Sequence, residues 1–335
     1  MASSKRDIWV DNVKVIACIL VVLGHFFQSM VKANLLADSF AYNLFEDTIY
    51  YFHVPLFFIC SGYLYQKYSV VNDISAWKIN VLKKLIALGI PYFVFSFATW
   101  ILKKVFASSV NTEIGGLGYT LFKHPTSPYW YLYILFVLFV ITWTSKNVNQ
   151  QYLMLVISVC MKLAYTFGVS TGLYIIDNTL ANCVWFVLGM TMAYGVIKMT
   201  NAMMSILLFM VFLLGSALTE LGYIHFKLQG FIWALMACYS VISLSHYLYN
   251  DGVQSEYMAT IAKYTMPIFL MHTLFAAPFR SVLIKLGVDN LIIHIVIGLV
   301  ASFVCPVIAM IIMEKIKPLD FMIYPNRYIS IKRRQ

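Results

Sequence analysis

The sequence predicts an all-α integral membrane protein, a polytopic bundle that crosses the bilayer about ten times. Hydrophobic residues make up 61% of the 335 residues and charged residues only 11%, whereas a typical soluble domain has about 25% charged residues. The apolar runs are long and do not alternate, which favours spanning helices of about 20 residues over the roughly 10-residue strands of a membrane barrel. We therefore expect one transmembrane domain over residues 1–335, with no separate soluble domain.

Windows of apolar residues place the spans along the chain. They fall near residues 8–30, 40–65, 79–102, 128–144, 151–168, 180–198, 203–221, 228–249, 259–284 and 290–314. The fifth window carries Lys162, and only a short turn separates the sixth from the seventh. No small-residue cleavage site follows the first window, so we expect it to be retained rather than removed as a signal peptide.

The distribution of lysine and arginine predicts the orientation of the bundle. With ten spans both termini share one side, and that side holds 15 of these residues against 8 on the other. Cytoplasmic loops carry the excess of positive residues, so we expect both termini in the cytoplasm. The net charge of +10 then follows from topology, and the dispersed cations suit a lipid bilayer rather than nucleic acid.

Ionisable residues in the first span are the first candidates for a functional site, because charges are costly inside a membrane. Asp11, Lys14, Cys18, Val21 and His25 follow a 3-4-3-4 spacing, which places them on one stripe of a helix about 21 Å long. Asp11 and Lys14 are near enough in sequence to pair. Taken alone, these residues fit either a functional site or a structural arrangement in which Asp11 and Lys14 form a juxtamembrane ion pair and His25 is an interfacial aromatic residue. Both interpretations stay open at this point.

Two further spans combine a histidine with a proline. The second contains His53 and Pro55, followed by Ser61 and a glycine, and in the ninth Pro267 lies five residues before His272. A proline within a span frees a backbone carbonyl, and small residues let another helix approach closely. Together with the histidine of the first span, these residues indicate a polar cavity inside the bundle.

Five segments, taken in order, resemble the motifs of acyltransferase family 3. The first covers residues 6–25, where Asp11-Asn12-Val13-Lys14 is similar to the family's Asp-x-x-Arg element and His25 follows Lys14 by eleven residues. Residues 54–63 resemble the motif Val-Pro-x-Phe-Phe-x-x-Ser-Gly-Phe/Tyr. The other three are Lys83-Lys84 followed by Pro91-Tyr92, residues 129–132 (similar to Leu-Trp-Phe-Leu), and residues 264–272 (similar to Tyr-Ser-x-x-Ile-Tyr-Leu-x-His).

This resemblance implies a membrane O-acyltransferase of bacterial envelopes, located in the cytoplasmic membrane. Such a protein takes an acyl group, usually acetyl, from acetyl-CoA and transfers it to a hydroxyl of a surface polysaccharide or lipid-linked sugar. His25 would act as a general base on that hydroxyl or as a nucleophile that carries the acyl group, and both roles need a neutral imidazole. Asp11, His53 and His272 are the other catalytic candidates.

The resemblance also implies binding sites for the donor and the acceptor. Lys14, Lys83, Lys84 and Arg6 are the candidates for the anionic phosphates of CoA. Ser61, Tyr129, Trp130 and Tyr264 are the candidates for the acceptor, and no metal is expected. The chain departs from the family pattern in two ways, because Lys14 replaces the arginine after Asp-x-x and the basic Arg-x-x-Arg pair is absent.

A secondary transporter or flippase for a small polar solute is the alternative, because bundles with prolines and buried charges also serve alternating access. No inverted repeat is visible between the two halves of the sequence, and the polar residues concentrate in the first, second and ninth spans. These two observations favour the enzyme.

Overall fold

The computed structural model describes residues 7–105, 115–249 and 254–331, which contain helices and loops but no strand. In chain order the α-helices are α1 (Ile8–Lys32), α2 (Phe40–Tyr50), α3 (His53–Tyr68), α4 (Ile74–Lys84), α5 (Ile90–Val105), α6 (Trp130–Ile141), α7 (Val148–Thr166), α8 (Tyr174–Ala193), α9 (Ala202–Glu220), α10 (Gln229–Tyr249), α11 (Glu256–Lys285), α12 (Leu291–Met313) and α13 (Lys317–Ile323). π-Helical turns cover Leu85–Gly89 and Tyr119–Lys123. The predicted all-α membrane bundle is confirmed.

Helices α2 and α3 together correspond to the second predicted span, and α4 and α5 to the third; we call each such unit, or single long helix, a pass. Contacts between helix ends show how the passes alternate. Asp7, just before α1, pairs with Lys67 at the end of α3 (Oδ1 to Nζ, 2.7 Å), and Gln254, just before α11, donates to Asn12 in α1 (2.7 Å). We call this side the proximal face and the side where α1 ends, at Lys32, the distal face.

Seven helical stretches among the described residues are long and apolar enough to cross a membrane. They are Ile8–Lys32, Ile74–Val105, Tyr174–Ala193, Ala202–Glu220, Gln229–Tyr249, Glu256–Lys285 and Leu291–Met313. The predicted fourth window forms only the 12-residue helix α6. The fifth forms the 19-residue α7. The polar run Asn149-Gln150-Gln151 in its first turn lowers the mean hydropathy of this helix.

The second window differs most from its prediction, because it breaks into two helices at residues 51–52. Pro55 has no N–H to donate, and its ring would clash with the carbonyl of Tyr51 if one helix ran through. The proline therefore lies in the first turn of α3 rather than in the middle of a span. The break also sets His53 at the start of α3, where its side chain can reach the end of α2.

A π-helical turn, Leu85–Gly89, interrupts the third pass just before Pro91. The proline ring conflicts with the carbonyl of Ala87 in a regular α-helix, and the wider π turn accommodates it. Turns of this kind are frequent at functional sites. Here the turn follows directly on Lys83 and Lys84, which end α4.

Helices α3 and α8 cross with their backbones in contact. A Cβ added at Gly62 would lie 1.9 Å from the carbonyl oxygen of Phe186, and one at Gly189 would lie 2.0 Å from the carbonyl oxygen of Ile59. Small residues allow such close helix packing in membranes. On the other side of α8, the buried Gln151 donates to the Thr191 hydroxyl (2.8 Å) and ties α7 to the same helix.

We predict that Gly189→Ala destabilises the bundle by about 1–3 kcal/mol or more, because the added methyl group meets backbone atoms that cannot move aside. Thermal unfolding of the detergent-purified protein measures this as a lower melting temperature. Gly118→Ala is the matched control, since Gly118 has helical backbone angles and no atom within 4 Å of its added Cβ. Equal melting temperatures for the two variants would contradict the close packing of α3 and α8.

Candidate active site

A cavity of about 530 Å³ lies in the distal half of the bundle, within the size range of small-molecule sites. Its lining contains His25 of α1, His53 of α3 and Phe269 of α11. The further polar and aromatic lining residues are Gln28, Tyr50, Tyr51, Phe57, Ser127, Trp130, Tyr131, Lys162, Asn182 and Trp185. Distant parts of the chain therefore converge on one polar space, as the three histidine-bearing spans predicted.

His25 lies seven residues before the distal end of α1, or about 10 Å along the helix axis. Its ring centroid is 5.5 Å from that of His272, and its Nε2 is 3.3 Å from the hydroxyl oxygen of Ser127. The imidazole of His25 thus has a titratable neighbour, a second histidine, on one side, while its Nε2 meets a hydroxyl at the cavity wall.

One ring nitrogen of His53 bonds to a backbone carbonyl at the end of α2, across the break between α2 and α3. Its Nδ1 lies 2.6 Å from the carbonyl oxygen of Ile49, which can only accept, so Nδ1 carries a proton. In the neutral imidazole, Nε2 is then the basic nitrogen. The ring of Tyr50 lies edge-on to His53, with 4.7 Å between the ring centroids.

His272 is held in the same tautomer. Its Nδ1 lies 3.0 Å from the carbonyl oxygen of Ile268 and 2.9 Å from that of Phe269. Its Nε2 is buried and has no hydrogen-bond partner among the described residues. A buried polar atom without a partner is costly, and this one belongs to the ring whose centroid lies 5.5 Å from that of His25, so it is a candidate for a chemical role.

Pro267 frees a backbone carbonyl in α11, as its place within the span predicted. The carbonyl oxygen without its usual donor is that of Lys263, and the hydroxyl of Tyr324 donates to it (3.2 Å). The interaction fastens the segment after α13 to the proximal half of α11. It leaves the following turns of α11 regular up to His272.

Asp11 and Lys14 occupy the proximal end of α1. Fourteen residues separate Asp11 from His25 on this continuous helix, which corresponds to about 21 Å. The structure therefore does not bring Asp11 to His25, and neither Asp11 nor Lys14 lines the cavity that contains His25 and His53.

Lys83 and Lys84 line a second cavity of about 380 Å³ at the proximal face, with Asn80 and Asn326. The ammonium of Lys84 lies 4.0 Å above the ring centroid of Phe139. Lys14 and Lys83 are near enough to Lys84 for their charges to act on it. The structure thus brings together three of the four predicted donor-site cations, while Arg6 lies outside the described residues.

The four predicted acceptor residues are in different places. Trp130 lines the cavity, and Ser61 contacts it through the hydroxyl of Tyr131 (3.1 Å). Tyr129 is fully buried and donates to the carbonyl oxygen of Leu270 (2.9 Å). Tyr264 lines a separate apolar pocket between α1, α11 and α12.

Several residues of the cavity were not among the predicted site residues, namely Ser127, Tyr131, Lys162, Asn182 and Trp185. Lys162 carried a signal, because a lysine inside an apolar span is costly unless it faces a polar space. Ser127 carried none, since it lies in the loop before α6 and its neighbours are set by tertiary packing. Among the described residues, no group of three or more His, Cys, Asp or Glu side chains is arranged to hold a metal.

Comparisons with known proteins identify the family of this chain. A family profile described as an acyltransferase domain, that of acyltransferase family 3, matches residues 7–311. Nodulation protein NolL of Sinorhizobium fredii is 47% identical over 62 residues, which are 18% of this chain and 16% of the relative. Nodulation protein NolL of Mesorhizobium japonicum is 25% identical over 166 residues, which are 49% of this chain and 42% of the relative.

The matched segments therefore cover less than half of either relative. No solved structure matches this chain significantly. The family profile, in contrast, extends from the start of α1 almost to the end of α12 and includes His25, His53 and His272. The chain belongs to acyltransferase family 3.

Proposed function

We propose that this protein is an O-acyltransferase of the bacterial cytoplasmic membrane. It would move an acetyl or similar acyl group from acyl-CoA to a hydroxyl of a surface polysaccharide or lipid-linked sugar. The observation that carries the proposal is His25 in the wall of a polar cavity, with the ring of His272 5.5 Å behind it, on the same helix bundle as a proximal lysine cluster. Family membership supplies the reaction class, and these residues supply a place for each substrate.

The lysine cluster is the proposed donor site. The ammonium groups of Lys83 and Lys84 at one cavity, with Lys14 near enough for its charge to act on Lys84, suit the phosphates of CoA. The positive-inside rule assigns the proximal face to the cytoplasm, where acyl-CoA is present. The donor's acyl end would then extend along α1 toward His25.

His25 is the proposed base. It would take the proton of the acceptor hydroxyl while the hydroxyl oxygen attacks the thioester carbonyl carbon; the carbon–sulfur bond then breaks, and the departing CoA thiolate receives the proton. In the alternative route a nitrogen of His25 attacks the thioester carbonyl carbon, the carbon–sulfur bond breaks, and the CoA thiolate takes the remaining N–H proton of the acyl-imidazolium. The acceptor hydroxyl oxygen then attacks the acyl carbon, the carbon–nitrogen bond breaks, and the hydroxyl proton returns to the imidazole. Both routes use a neutral His25 with a free nitrogen facing the cavity.

His272 is the proposed positioning residue for His25. Because its Nδ1 is held by two carbonyls, its Nε2 offers a lone pair to the neighbouring ring. Donation from His25 Nδ1 to that lone pair would leave His25 Nε2 as the basic nitrogen, beside Ser127. A second histidine would also stabilise the imidazolium that forms when His25 takes a proton, as an orienting acceptor does in catalytic triads.

We predict that His25→Ala lowers acyl transfer by at least ~100-fold, because a positioned general base contributes about 10²–10⁴-fold. The measurement is the alkali-released acetate of surface polysaccharide in a deletion strain that expresses the variant. His225→Ala is the matched control, since His225 is exposed and does not line the cavity. Wild-type O-acetyl levels with His25→Ala, at equal membrane expression, would contradict the assignment and favour a transport role.

We predict that Lys84→Met and Lys14→Ala each raise the apparent KM for acetyl-CoA by about tenfold with little change in kcat, because they remove charge that binds donor phosphates before the reaction. Initial rates in isolated membranes at varied acetyl-CoA measure the effect. Lys78→Met serves as the control, because Lys78 is exposed on α4 and does not line the proximal cavity. An unchanged KM in both cluster variants would exclude this donor site.

We predict that the proximal face lies in the cytoplasm. A cysteine introduced at Ser69, beside the proximal cavity, should be protected in intact cells from a membrane-impermeant maleimide. One introduced at Thr171, in the distal loop between α7 and α8, should be labelled. The reverse pattern would overturn the orientation.

A further inference from the structure

We infer that the cavity recognises the acceptor through an anionic substituent on the sugar, a carboxylate or a phosphate, which pairs with the ammonium of Lys162. The inference rests on the proposed function, because it identifies the class of acceptor for the same site. It also assigns a role to a charged residue that the proposed reaction does not use.

The register of α7 turns Lys162 toward the bundle. Gln151, Ser158 and Lys162 lie on one face of this helix, at intervals of seven and four residues. Gln151 and Ser158 are buried, whereas Tyr152 and Val156 on the other side of the helix are exposed on the bundle surface. Lys162 therefore continues the buried stripe and lines the cavity instead of reaching out to the lipid.

Lys162 is the only formally charged side chain in the described lining of the cavity, and that lining contains no carboxylate. The nearest compensation comes from aromatic rings: the ammonium lies 5.9 Å from the ring centroids of Tyr165 and Trp185 and 6.0 Å from that of Phe231. Rings at this distance stabilise a cation only modestly. Charged side chains in a membrane interior usually pair with a group of opposite charge. For Lys162, such a group can reach the ammonium only from a ligand in the cavity.

The rest of the lining suits a sugar. The side-chain nitrogen of Asn182 donates to the carbonyl oxygen of Asn178 (2.9 Å), which leaves its oxygen to accept from a sugar hydroxyl. Trp130 and Trp185 supply aromatic surfaces. An acceptor with its anionic group at Lys162 on α7 would extend across the cavity toward His25 on α1.

The path from the distal face to the cavity is also lined by positive charge. A neighbouring cavity of about 500 Å³ shares Ser127 and Trp130 with the first and is also lined by Lys103, Trp100 and Tyr119. Its described lining contains no carboxylate. Positive charge along a path raises the local concentration of anionic ligands.

Binding of three probes to the full-length protein in detergent, without acyl donor, tests the inference. The probes are glucose, glucuronate and glucose 6-phosphate, and the readout is quenching of tryptophan fluorescence, because Trp185 lies beside both Lys162 and the cavity. We expect at least one anionic probe to bind about tenfold or more tightly than glucose, as an unscreened charge pair would provide. The probe that is preferred distinguishes a carboxylate from a phosphate acceptor.

Lys162→Met should abolish this preference without weakening glucose binding, and Lys162→Arg should retain it. Lys162→Gln is a second neutral variant in case Lys162→Met does not fold. Lys227→Met is the matched control, because Lys227 also lies near a ring, that of Phe167, but is exposed and outside the cavity lining. The inference is overturned if the wild type binds glucose as tightly as both anionic probes, or if a folded neutral variant keeps the preference.

His25→Ala separates this inference from the proposed function. It should keep the preference for the anionic probe, since binding does not require acyl transfer. If the wild-type protein prefers the anionic probe but transfers no acetyl group, the proposed function is refuted and the anionic binding site stands. If it transfers acetyl groups but shows no preference, the proposed function stands and the anionic binding site is refuted.

Discussion

Polar groups inside a membrane must find partners within the protein, and this constraint explains most of the architecture. The broken end of α2 is completed by His53, the carbonyl freed by Pro267 is taken by Tyr324, and the buried Gln151 bonds to α8. Each of these hydrogen bonds removes the free-energy penalty that an unpaired polar group would carry in a low-dielectric interior. Against this background two groups stand out. The buried Nε2 of His272 has no partner among the described residues and belongs to a ring beside that of His25, and the ammonium of Lys162 belongs to a residue that lines the same cavity as His25.

Helix α1 relates the two proposed substrate sites. It carries Lys14 near the proximal cavity and His25 in the distal one, eleven residues or about 16 Å apart along the axis. A continuous helix keeps that separation fixed, so the donor would have to reach inward from its phosphates to bring the acyl group to His25. The close crossing of α3 and α8 at Gly62 and Gly189 holds the opposite wall, from which His53 and Asn182 project.

Hydropathy was sufficient to predict the fold class and the order of the helices along the chain, because every helix in contact with lipid needs apolar side chains. It could not predict the break before α3 or the π turn before Pro91, since both arise from the local stereochemistry of proline within otherwise apolar runs. The convergence of His25 with His53 and His272 was predictable from their spans. Tyr129 shows the limit of this reasoning, because an aromatic residue in a motif looked suited to a sugar, yet tertiary packing buries it against Leu270. Ser127 shows the converse, since a loop serine beside His25 has no sequence signal.

The central claim is that His25 mediates acyl transfer between a donor at the proximal face and an acceptor in the distal cavity. Proteoliposomes test it most directly when [1-¹³C]acetyl-CoA is supplied on the proximal side and a surface glycan extract on the distal side. The account predicts that the wild-type protein forms labelled O-acetyl esters on the glycan and that His25→Gln forms none, although both bind the donor equally. Labelled ester at wild-type levels with His25→Gln would contradict it.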